Sequence, residues 1–305
     1  MDPHISAWYG KDFELAFLRA KGDAFQTFFE GLMGRAYKAD FMACRPWGNV
    51  GDKKNDGFLK SERRLFQVYA PNDMKASEAI KKIGEDFAEG LKHWGTHFDK
   101  WSFVHNAHDG LPPHVQELLL ETERQNPGIK IEPWCLEELR EVFQKLALPD
   151  LQSWFNYTPP TLPEQEGIGF EDIRVVLEDI SARELPKNLP VMSVDPDKLR
   201  TNRLSGNVQS LLTAGMMKAP LVKQFFDEWH QPTYGERMSE AFKGRYQKLR
   251  AVTPSLHPNE IFDELQRWVA GTKLPSPPRL ASILSVLAYF FERCDVFEPA
   301  SKSET

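Results

Sequence analysis

Three oxygen-bearing side chains raise the question of chemistry. In GDKKNDGFLKSERRLFQVYAP (residues 51–71), Asp56 precedes a glycine at the mouth of a short extended segment, and Gln67 interrupts an otherwise apolar one. A separation of 11 residues lets two strands of a hairpin bring both side chains together. Residues two apart on a strand share a face, which puts Gln67 with Tyr69, and Phe66 with Val68 and Ala70. Hard divalent cations such as Mg2+ or Mn2+ take oxygen ligands from one or two carboxylates, carbonyl groups and water. Asp56 beside the Gln67 carbonyl meets that need, with Glu30 supplied by the helix before the first strand. The same residues are equally compatible with a plain Asp-Gly turn and a half-exposed strand glutamine, so spacing alone leaves both readings open.

Two further groups carry chemical potential. The strand ending FVHNAHDGLPP (103–113) gathers His105, Asn106, His108 and Asp109, which suit a metal ligand or a general base, or simply a hydrogen-bonded turn before a proline-opened helix. The stretch GERMSEAFKGRYQKLR aligns Arg237, Lys243, Arg245, Lys248 and Arg250 with Tyr234 and Tyr246. That is a phosphate-contacting face or an ordinary solvated helix face.

The composition sets bounds. A chain of 305 residues suggests two domains, and 41% hydrophobic with 12% aromatic residues is enough for real cores. The net charge of -6 is unlike that of a free-standing nucleic-acid binder, so a metal ion or a basic partner must share in any DNA contact. Cys44, Cys135 and Cys294 show no disulfide or zinc spacing. The N-terminal MDPHISAWYGKDFE has no basic stretch followed by an apolar one, and no apolar run reaches a membrane span. A cytoplasmic protein with no membrane association is expected.

The elements that must position these residues follow from periodicity. Phe13, Phe17, Phe25, Phe28, Phe29, Leu32 and Met33 recur at helical spacing over 11–37, with Gly22 dividing two helices. Strands are expected at 41–47, 57–60, 65–70, 100–106 and 129–134, and helices at 72–94, 112–125 and 136–147. The order α-β-β-β-α-β-α-β-α predicts a mixed sheet covered by helices. Residues 149–195 read as a proline-rich linker with one short helix at 170–183. Residues 196–299 read as all-helical, with the apolar stretch 280–298 as core centre or interface. Residues 300–305 read as a flexible tail.

The helix FFEGLM, the strand FMACRPW, then GDKKNDGF and LFQVYA resemble the PD-(D/E)xK nuclease core, in particular its Mrr-type branch. The resemblance covers residues 10–107 and implies a restriction-endonuclease-like α/β domain over residues 1–148. Carried over residue by residue, it implies Glu30, Asp56 and Gln67 as ligands of Mg2+ (or Mn2+) for DNA phosphodiester hydrolysis. The lysine that the family places two residues after the glutamine is replaced by Tyr69. A phenol with a reference pKa near 10 is a poor substitute for an ammonium beside developing charge. Lys60 is the expected relocated catalytic lysine, with Lys75 and Lys82 as others nearby. Lys53, Lys54, Tyr69 and Lys75 are the expected nucleic-acid contacts.

The C-terminal helices ending AYFFERCDVFE resemble the C-terminal domains of bacterial ABC-three-component systems, in which an effector accompanies an SMC/Rad50-like ATPase and a middle subunit. What this implies is an anti-phage effector that docks through its helical domain on those partners, with DNA as substrate. A homo-oligomer is compatible with it. The rival expectation is a catalytically inactive nuclease fold that binds DNA or acts as a structural adaptor.

Overall fold

The computed structural model describes residues 2–44, 54–181, 198–229, 233–271, 275–293 and 295–298. Lys53, Cys294 and the expected tail lie outside them. The chain divides into two compact units, Phe13–Leu151 and a second formed by Met1–Asp12 with Gln152–Thr305. Helix α1 (Pro3–Arg19) contributes to both, changing unit after Asp12.

In the α/β unit, α2 (Asp23–Tyr37) leads through a short 3-10 turn into β1 (Phe41–Ala43), β2 (Gly57–Leu59) and β3 (Arg64–Tyr69). Helix α3 (Ala76–Trp94), β4 (Lys100–His105), α4 (Pro113–Gln125), β5 (Lys130–Trp134), α5 (Leu136–Phe143) and α6 (Leu148–Phe155) follow. The sheet order is β1-β2-β3-β4-β5, with β1, β2 and β3 antiparallel and β3, β4 and β5 parallel. Parallel neighbours need crossovers, and α3 and α4 supply them. The expected mixed sheet is therefore present. Pro133 is tolerated within β5 because that strand forms the sheet edge.

Strand alternation decides which helices meet which face. Leu65, Trp101, Phe103 and Ile131 point one way and form a buried cluster with Ala79, Ile83 and Phe87 of α3 and Val115 and Leu119 of α4. Phe66 points the other way, into an aromatic cluster with Phe29 of α2 (5.2 Å between ring centres), Phe41 (6.3 Å) and Trp134 (5.0 Å). The helix α2 carries five buried apolar residues, the stripe foreseen from its spacing.

The Asp56-Gly57 pair is not a turn. Gly57 begins β2, opposite Phe66, and its φ is not left-handed. A glycine stands there for packing, since a Cβ would lie 2.6 Å from two carbons of the Phe41 ring.

The second unit is helical throughout its described part. It comprises α7 (Leu162–Glu166), α8 (Phe170–Ser181), α9 (Lys198–Thr201), α10 (Gly206–Met216), α11 (Ala219–Glu228), α12 (Tyr234–Arg250), α13 (Pro258–Ala270) and α14 (Pro277–Glu292). Every residue of α14 from Leu280 to Phe291 is buried, so the expected apolar stretch is the core centre. Gly215 of α10 allows the close crossing with α14, because a Cβ would come within 2.7 Å of the Leu284 carbonyl oxygen. Buried Lys198 donates from Nζ to the carbonyl oxygens of Phe291 and Val296, which closes the C-terminal end of α14. The segment expected as linker with one helix carries α7 and α8 and most of α6. Thr161 and Pro163 open α7, with the Thr161 side chain accepting from the Glu164 N–H.

Gly57→Ala should destabilise the protein by about 1–3 kcal/mol through the Phe41 clash. Adding Phe41→Leu should recover part of that loss, as urea denaturation would measure. An unchanged midpoint for Gly57→Ala would contradict the packing account.

Candidate functional site

Asp56 immediately precedes β2, and its backbone and side chain bond the two β3 residues that flank Gln67. The Asp56 N–H donates to the Phe66 carbonyl oxygen (3.0 Å). Its carboxylate oxygen Oδ2 accepts from the Val68 N–H (2.7 Å), standing where a strand carbonyl would otherwise accept. Asp56 is thus held at Phe66 and Val68, on either side of Gln67, by backbone and side chain jointly. Both are buried, Asp56 at 5% and Gln67 at 3% exposure. The Gln67 carbonyl oxygen Oε1 and the neighbouring Asn55 Oδ1 are buried with no hydrogen-bond donor. A desolvated carbonyl without a donor costs about 1–3 kcal/mol, and a cation satisfies it as well as an N–H does.

The remaining expected residues take varied positions. Glu30 is half-buried on α2 and accepts from Gln26 Nε2 (3.1 Å). Its helix covers the Phe66 face, across the sheet from Gln67. Lys60 is not where the relocated lysine would have to be. It is exposed beyond the far end of β2, with its N–H on the Asp40 carbonyl oxygen, and four extended residues place it about 13 Å of strand from Asp56. Lys75 is exposed ahead of α3 and pairs with Glu78 (3.3 Å).

Tyr69 is half-buried and its ring packs on Phe103 (6.0 Å). Burial, and after it the Glu78 carboxylate, push its hydroxyl above the ordinary tyrosine range, against a smaller opposing effect of Lys75. It is a neutral phenol at physiological pH and supplies no positive charge.

The positive charge comes from elsewhere, and α3 explains how. Asp86 is fully buried on the apolar stripe of that helix, and Lys82 Nζ lies 2.7 Å from one of its oxygens, Lys54 Nζ 2.9 Å from the other. Gly90 lets α3 approach, since a Cβ there would lie 3.3 Å from Leu65 Cδ2 and 3.6 Å from the Lys54 carbonyl oxygen. With Gly90 beside Leu65 and Glu78 acting on Tyr69, α3 runs antiparallel to β3. Two strand residues on from Leu65 is about 6.6 Å, or about four helical residues back from Gly90, which sets Asp86 level with Gln67. Asp86 was not foreseen, and its signal was a lone acid on the stripe Ala79, Ile83, Phe87, Gly90.

The histidine group resolves as a turn. His105 is buried at the end of β4, beside Tyr69 in the register, and its Nδ1 accepts from the Ala107 N–H (3.2 Å). Asn106 donates to the Ala20 carbonyl oxygen (3.3 Å), and His108 and Asp109 are exposed. On α12, Tyr234 and Tyr246 are buried in the helical core rather than facing solvent beside the basic residues. Among the described residues no group of three or more His, Cys, Asp and Glu side chains is arranged to hold a metal ion. A cation at the Asp56–Gln67 pair would rest on amide carbonyl oxygens with one carboxylate. Such a set fits Mg2+, which keeps several waters and takes substrate phosphate oxygens as further ligands.

Burial lowers the pKa of His105 to about 4, so the folded protein holds it neutral. An unfolded histidine titrates near 6.5, so the stability that this site contributes is complete above pH 6.5 and disappears as pH falls to about 4. The amount is about 3 kcal/mol. Urea denaturation at pH 7 and pH 4 should show a smaller difference for His105→Gln than for the wild type. An equal difference would contradict a buried neutral imidazole.

Among the described residues no helix is long and apolar enough to cross a membrane. Neither a curated protein nor a solved structure matches the chain. Residues 171–298, which run from α8 to the end of the described chain, match the family model of C-terminal domain 10 of the ABC-three component (ABC-3C) systems. The C-terminal helical part of this protein is therefore similar to a C-terminal domain of the ABC-three component systems.

Proposed function

We propose that the protein is an effector subunit of an anti-phage ABC-three component complex. Its α/β unit hydrolyses DNA phosphodiesters with Mg2+ or Mn2+, and its helical part docks on an SMC/Rad50-like ATPase and a middle subunit. The docking half rests on the domain match over residues 171–298. The nuclease half rests on one observation, that Asp56 is bonded to both β3 neighbours of Gln67 while the Gln67 oxygen is buried and unsatisfied. The α-β-β-β-α-β order and the sequence resemblance to PD-(D/E)xK nucleases support it.

In this reading Asp56 and Gln67 hold the cation, with Asn55 Oδ1 at hand, while Glu30 lies on the helix across the sheet. The cation, when bound, polarises the phosphodiester and lowers the pKa of water. The chain's own part is orientation. The Val68 N–H fixes the Asp56 carboxylate, the β3 ladder fixes Gln67, and burial keeps competing water away. The net charge of -6 is consistent with a partner that captures DNA.

A second reading, an inert nuclease fold used for binding, is favoured by Tyr69 at the usual lysine position and by the structural duty of Asp56 Oδ2.

Plasmid cleavage with Mg2+ or Mn2+, with and without the ATPase subunit, tests the choice. Asp56→Asn keeps an acceptor for the Val68 N–H while removing the charge. Gln67→Leu removes an oxygen that has no donor, and should leave stability unchanged or raised by about 1 kcal/mol. Both variants should fold and lose cleavage. Wild-type protein that cleaves under none of these conditions, yet retards DNA on a gel, would establish the inert fold instead.

A further inference from the structure

Resting on that reading, we propose that Lys54 and Lys82, tethered on the buried carboxylate of Asp86, form a binding site for a backbone phosphate of the nucleic acid beside Asp56 and Gln67.

Two ammonium groups lie on opposite oxygens of one carboxylate, at 2.9 and 2.7 Å, so that this acid alone does not balance both. The carboxylate is 0% exposed, while the lysine side chains are 37% and 31% exposed, so the positive ends reach solvent and the negative one does not. Burying a carboxylate costs several kcal/mol unless it is well paired, and one lysine would suffice for that pairing. A second lysine adds repulsion between like charges, which an anion bound across the two ammonium groups relieves.

Asp86 lies level with Gln67, and Lys54 precedes Asp56 by two residues in a left-handed backbone conformation (φ 59°). The unsatisfied buried oxygens of Asn55 and Gln67 occupy the same end of the hairpin. Oxygens there suit a cation and ammonium groups suit an anion, and a metal-bridged phosphodiester presents both. The pair also supplies the charge that Tyr69 lacks. Lys60, at the far end of β2, cannot.

The test is binding of a short fluorescein-labelled DNA duplex to the full chain in EDTA, by anisotropy over a range of salt. Lys54→Gln and Lys82→Gln should each weaken binding severalfold and reduce the slope of log affinity against log salt by about 1. Lys82→Arg should keep the wild-type slope. Lys81→Gln is the control, on the exposed side of the same helix with a side chain 76% exposed and paired to Glu85. It should leave the slope unchanged, and thermal melting should show all variants folded. Wild-type slopes in both lysine variants, an equal loss in Lys81→Gln, or no binding by the wild type would each overturn the proposal. If the predicted slopes are found but wild-type protein never cleaves, the nuclease reading fails while the phosphate site stands. If cleavage occurs with unaltered slopes, the reverse holds.

Discussion

The hydrogen bond from the Val68 N–H to the Asp56 carboxylate is the constraint on which the site depends. It extends the β2–β3 pairing beyond the last backbone bond of a three-residue strand. Together with the bond from the Asp56 N–H to the Phe66 carbonyl oxygen, it holds Asp56 alongside Gln67. Gly57 serves the same end from the other face, since the Phe41 ring occupies the space of its absent Cβ and joins the aromatic cluster under Phe66. One face of the hairpin is thus fixed by the aromatic cluster, and the other carries the polar Gln67 among apolar residues packed on α3.

On that polar face, α3 brings charge into a place where burial would normally forbid it. Asp86 occupies a position on the buried stripe that an apolar residue would fill at lower cost, and its two lysines are what make it tolerable. Gly90 eases this approach, since a Cβ there would press on the end of the Leu65 side chain at 3.3 Å. A polar network placed between a helix and a sheet, at the mouth of a hairpin, is poor design for stability alone. It is well suited to holding a phosphate and a cation side by side.

Much of the sheet was legible because its signals are local. The alternation in LFQVYA, the proline after Tyr69 and the amphipathic stripe of α3 each fix an element without reference to the rest of the chain. Asp56 and Gln67 stand out for the same reason, as polar residues in a locally apolar setting. Lys60 misled because four residues are few in sequence yet long in an extended strand. Asp86 was hidden because Lys82 and Asp86 at i,i+4 look like a surface ion pair, and only its place on the stripe indicated burial. Prolines at 149–163 read as linker signals, whereas proline also fits the first turn of a helix, as Pro163 does in α7. The grouping of residues 1–12 with the C-terminal helices is non-local and left no trace in the spacing.

The central claim is that Asp56 and Gln67 hold a divalent cation. Electron paramagnetic resonance of Mn2+ titrated into the full chain reads this directly, without requiring cleavage or a partner. Wild-type protein should bind one Mn2+ that is lost or greatly weakened in Asp56→Asn and in Gln67→Leu. Equal Mn2+ binding by the wild type and both variants, or none by the wild type, would contradict the account.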